Sequence, residues 1–179
     1  MSSNKKTPVM ETVSVPADNK NLSVKIPKFT EMYKELYTEC NDKFHELQEK
    51  RAEFPAKFLE TTDFEEFTLQ ASNLKHEAIL LNKAVLTTQV NSQIDLKYYE
   101  ALVLFYSARD ILKDFGFSGE TNALMTSAVA SNKELNELKK VVGLIDALQE
   151  AVKTLPKAFE TDETNYRVFS SYKHKLGGF

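Results

Sequence analysis

With one cysteine, Cys40, the chain has no internal disulfide, which suits a reducing compartment. Tryptophan is absent, so bulky apolar surface falls to 12 Phe and 7 Tyr. Five Gly and five Pro in 179 residues are too few for a fold rich in turns and fit long helices instead. No stretch approaches the roughly 18 uninterrupted apolar residues of a membrane span. The most apolar run, Ala101 to Tyr106, is far shorter, so no membrane partner is expected. Lys5 and Lys6 have no apolar run behind them, so no signal peptide is expected. The expected location is the cytoplasm.

Chemistry is equally sparse. His45, His76 and His174 have no second ligand at metal spacing. Leu80 stands where the second histidine of an H-E-x-x-H pair would follow His76-Glu77. Gly116-Phe-Ser-Gly119 lacks the Lys-Ser/Thr of a phosphate loop. Cys40 lies on the apolar stripe of an acidic helix, a setting that raises a thiol pKa. No catalytic residue, metal site, cofactor or small-molecule substrate is expected.

What is present is helical periodicity. Phe64, Phe67, Ala71, Leu74, Ala78, Leu81 and Val85 step by three and four, the spacing of one helix stripe. Asp63 with Glu66 three residues on gives a start signal, and Phe115-Gly116 gives a stop. The spacing predicts a helix over 63–115, roughly 75–80 Å long if unbroken. The polar run Thr87 to Gln93 interrupts the stripe but contains no Gly or Pro, which favours a continuous or gently kinked helix.

A first helix is expected over 29–53, ended by Phe54-Pro55, with a linker Pro55–Thr62. Residues 31–66 hold five basic groups against eleven acidic ones, a charged outer face. A third helix is expected over 119–155, started by Ser118 and ended or kinked by Pro156, and a short one over 162–175. Residues 1–28, with five Lys against Glu11 and Asp18, read as a flexible basic arm. Its alternations Val13-Ser-Val15 and Leu22-Ser-Val24-Lys-Ile26 could add a strand to a partner's sheet. The fold class is all-α: an elongated helical bundle with coiled-coil-like hairpins, residues 29–179 forming one domain.

Such stripes offer more apolar surface than one chain buries, so a homo-oligomer or a tight hetero-complex is expected. Its interface would use Phe64, Phe67, Leu74, Leu81, Leu135, Leu138, Val142 and Ile145. A second group mixes aromatic and basic side chains: Tyr98, Tyr99, Phe105, Tyr106 and Arg109, beside Lys97 and Lys113. These could stack bases and meet phosphates of single-stranded nucleic acid. They could equally be helix core with snorkelling cations.

Phe105-Tyr106-Ser-Ala-Arg109, a short turn, and then Met125-Thr-Ser-Ala-Val-Ala-Ser-Asn-Lys-Glu134 resemble the layout of phage recombination mediators of the UvsY type. The likeness spans about residues 74–169, and Phe105, Tyr106 and Arg109 are the positions that carry over. Leu102 and Ala108 stand where that pattern has a basic residue and a glycine. The resemblance implies an oligomeric, non-catalytic protein that binds single-stranded DNA and helps load a recombinase alongside other recombination proteins. The alternative is a structural or adaptor component of a larger assembly, such as a virion or cargo protein.

Overall fold

A computed structural model describes residues 22–60 and 63–176 of the chain. Among these the fold is all-α, with five helices and no strand: α1 (Leu22–Glu60), α2 (Phe64–Phe115), α3 (Gly119–Ser131), α4 (Lys133–Val152) and α5 (Leu155–Leu176). Residues 1–21 of the expected arm and the Phe64 and His174 side chains lie outside the described residues. No helix among the described residues is long and apolar enough to cross a membrane.

α2 is the element that every other helix packs against. Its 52 residues span roughly 78 Å. Asp63 caps its start by accepting a hydrogen bond from the Glu66 amide at 2.9 Å. Gly116, at φ 68°, closes its end in a conformation that a side chain would strain. The run Thr87 to Gln93 is helical. Thr87 and Thr88 return their hydroxyls to the carbonyls of Lys83 and Ala84, leaving the helix ladder undisturbed.

Two cores flank that polar run. The first joins Phe44, Leu47, Phe54 and Phe58 of α1 to the stripe Phe67 to Val85 of α2, with Leu148 and Val152 of α4 and Phe159 of α5. The second joins Ile26 and Tyr33 of α1 to Tyr99, Leu102, Val103 and Tyr106 of α2, with Leu135 to Ile145 of α4. Between them lies a polar waist. Gln149 donates to Asn82 at 3.0 Å, and Gln89 and Gln93 both donate to Asp146 at 2.8 Å. Ser92 is fully buried, its hydroxyl on the Gln89 carbonyl at 2.9 Å.

Four boundaries differ from the sequence expectation. α1 starts at Leu22 rather than 29, so 22–28 are helix and not arm, and Leu22 to Ile26 form no strand. Ile26, 1 % exposed, is the anchor that draws this turn into the second core. α1 also runs through Pro55, where it was expected to stop. An interior proline costs roughly 3 kcal/mol. Aromatic packing on both sides of it offsets that cost: Phe54 lies 4.5 Å from Phe67, and Phe58 lies 5.2 Å from Phe67 and 5.1 Å from Tyr166, between ring centres.

The third helix expected over 119–155 is two helices. Asn132, at ψ 113°, leaves the helical region between α3 and α4. Its side chain accepts from the Leu135 amide at 2.8 Å and so restarts the chain as α4. The last helix begins at Leu155, seven residues before its expected start. Pro156 falls in its first turn, where a missing N–H costs nothing.

α5 is tied down by one buried carboxylate. Glu163, 6 % exposed, receives Lys75 of α2 at 2.6 Å and Arg167 at 2.7 Å. The Lys75 hydrogen bond holds its carboxyl below the usual carboxylate range. A depressed folded-state pKa stabilises the fold at pH above the unfolded value of about 4.3, and the contribution fades as pH falls through the folded value. Glu163→Gln is expected to cost about 2 kcal/mol at neutral pH, with the deficit shrinking below about pH 4. Urea denaturation of both proteins at pH 7 and pH 3 measures this; an equal deficit at both values would contradict it.

Candidate functional site

The residues singled out for nucleic acid all lie on the C-terminal half of α2, yet the helix divides them. Tyr106 points inward and is 2 % exposed, packed in the second core. Phe105, one residue earlier, is 53 % exposed and meets Tyr106 edge-on at 5.5 Å. A shift of one residue turns a helix by about 100°, so adjacent aromatics cannot share a face. Tyr98 and Tyr99 divide in the same way, one exposed and one buried. Burial, helped by the Asp95 charge, pushes the Tyr99 phenol up to about 12. Tyr33 on α1 donates to Asp95 at 2.6 Å, and burial raises its pKa too.

The cations are outside. Lys97 pairs with Glu100 at 2.9 Å, and Lys139 of α4 reaches the other oxygen of that carboxylate at 3.0 Å. Arg109 lies over the Tyr106 ring at 5.3 Å and contacts Asp110 at 3.3 Å. Lys113 is exposed in the last turn of α2. Exposed Phe105, Arg109 and Lys113 follow one another at single turns along one side of the helix.

The residues nominated for an oligomer interface are placed differently from expectation. Phe67, Leu74 and Leu81 belong to the first core, and Leu135, Leu138, Val142 and Ile145 to the second. All seven are 8 % exposed or less, so the chain's own helices already cover them. The side chain of the eighth, Phe64, is not among those described. Their spacing marked a buried stripe correctly, but a periodic stripe does not say whether its cover comes from the same chain.

Much of the exposed apolar surface lies on the opposite face of α2. Among the described side chains of this helix, ten large apolar ones are at least 43 % exposed, including Leu80, Leu86, Val90, Ile94 and Phe105. At 100° per residue all ten fall within an arc of about 120°, centred opposite Ser92. In the sequence this second stripe is overshadowed by the stronger inward one. Its signal was there: Leu80, Thr87, Val90, Ile94, Ala101 and Ala108 keep a three-, four- or seven-residue step.

Elsewhere the groove where α1 meets α2 is lined by Cys40, Lys43, Glu77 and Leu81, and Lys43 pairs with Glu77 at 2.9 Å. Burial pushes the Cys40 thiol up, which disfavours the reactive thiolate. Among the described residues no group of three or more His, Cys, Asp and Glu could hold a metal ion. Compared with family models, curated proteins and solved structures, the chain finds no match.

The split between Phe105 and Tyr106 has an energetic consequence. Tyr106→Ala is expected to lower stability by about 3–5 kcal/mol, as large core truncations do, and Phe105→Ala by less than about 1 kcal/mol. Equilibrium denaturation measures both, and equal losses would contradict the assigned faces.

Proposed function

We propose that the protein is a non-catalytic structural or adaptor component of a larger protein assembly, acting through the outward face of α2. One observation carries this reading: ten exposed large apolar side chains along a single helix face. Soluble chains seldom leave so long an apolar band open, and such bands mark protein–protein contact surfaces. Seven further large apolar side chains are exposed among the described residues, but they are spread over α1, α3, α4, α5 and Phe117. Many surface charges are paired within or between neighbouring helices, as in Lys34–Glu31, Lys50–Glu46 and Arg51–Asp162. Light scattering on the full chain at micromolar concentration is expected to give a mass above the 20.4 kDa of one chain. A monodisperse species of one-chain mass would contradict the reading.

A second reading, single-stranded DNA binding in recombinase loading, is favoured by exposed Phe105 beside Arg109, with Lys97 and Lys113 on the same half of α2. One base could stack on Phe105 while the cations meet flanking phosphates. Tyr106 has no part in it, being buried. Binding of this kind weakens steeply as salt rises. Titration of a fluorescent oligonucleotide at about 50 mM salt decides it, and no binding there removes it.

A further inference from the structure

The ten exposed apolar residues of α2 are arranged symmetrically about Ser92. Val90 and Ile94 stand two residues to either side of it, and Leu86 and Tyr98 stand six. Leu80 and Leu104 stand twelve away, and Ile79 and Phe105 thirteen. The outermost, Leu69 and Phe115, stand twenty-three away. Among the described side chains of the helix, every exposed large apolar residue has its counterpart. An intramolecular packing face has no need of such a palindrome. A two-fold pairing of antiparallel copies does, because the symmetry axis brings residues equally far before and after its centre to the same height.

We infer that the outward face of α2 docks a second copy of the same chain, antiparallel, with the two-fold axis at the height of Ser92. This rests on the assembly reading above and names its partner. At each of the ten heights both helices then offer a large apolar side chain to the seam. Together these side chains expose on the order of 1,000 Å² per copy, against about 800 Å² per partner in a standard stable interface.

Charge favours the same direction. Lys83 and Lys97 lie within the apolar arc. A parallel, in-register pair would set each lysine against itself, whereas the antiparallel pair sets Lys83 level with Ala101 and Lys97 level with Thr87. Lys83 then comes within one residue of the height of Glu100 on the second copy and one turn from its Lys97. The small side chains Ala101 and Ala108 within this arc let the two backbones approach.

Distances between spin labels test the pairing. Lys97→Cys and Lys113→Cys, each in a Cys40→Ala background, would carry a nitroxide on the exposed side of α2. In the antiparallel pair the separation along the helix grows by about 3 Å per residue from Ser92. Labels at 97 are then expected roughly 15 Å apart and labels at 113 roughly 63 Å apart. Light scattering should give twice the one-chain mass of 20.4 kDa. Ile94→Asp, at a site 61 % exposed and so harmless to the fold, should raise the dissociation constant by roughly 100-fold with unchanged circular dichroism. An assembled species with similar short distances at both labels overturns the antiparallel pairing and leaves the assembly reading standing. A one-chain mass at about 100 μM, or an assembly indifferent to Ile94→Asp, overturns both, handing the face to residues 1–21 or leaving it uncovered.

Discussion

The inward stripe of α2 has to satisfy two apolar cores and a polar junction between them. Each core is too short to hold a 52-residue helix alone, and each draws on three or more elements. α1 and α4 share the load because both run past the junction and contribute to both cores. The position of α5 follows from the first core, where Phe159 and Tyr166 meet the α1–α2 aromatics and Glu163 meets Lys75. That of α3 follows from the turn after Gly116, with the Ser118–Thr121 capping box fixing its first residues.

The junction explains why the polar run in mid-helix is tolerated. Thr87 to Gln93 would be a weak helix alone, since its residues are poor formers. In the fold Gln89 and Gln93 both donate to Asp146 of α4, and the part-buried Gln89 amide is thereby compensated for its partial loss of water. Such a polar layer also fixes register. A slip of α4 along α2 would strand Gln89, Gln93 and Gln149 without partners, whereas leucine against leucine would tolerate it.

Much of this was legible from residue spacing. The class, the long second helix with its Asp63 and Gly116 caps, and the buried stripes followed from periods of three and four. What escaped were features decided by contacts distant in sequence. Pro55 reads as a stop unless Phe58 is known to reach Phe67 and Tyr166. Asn132 looked like one more helix residue, although an Asn followed by Lys-Glu-Leu is a start signal. Ile26 has no periodic neighbours before it, so its role as an anchor depends on Tyr99 and Leu135 lying opposite. For the candidate site the limit was sharper. Spacing located the aromatic and basic residues but could not sort Tyr106 from Phe105, nor say which of two stripes on α2 its own chain covers.

Amide hydrogen exchange along α2 tests the central claim, that one continuous helix couples the two cores into a single cooperative unit. Residues 67–85, 87–93 and 99–106 are expected to exchange slowly and to lose protection together as denaturant rises. Fast exchange confined to 87–93, with the flanking halves opening at separate free energies, would contradict it.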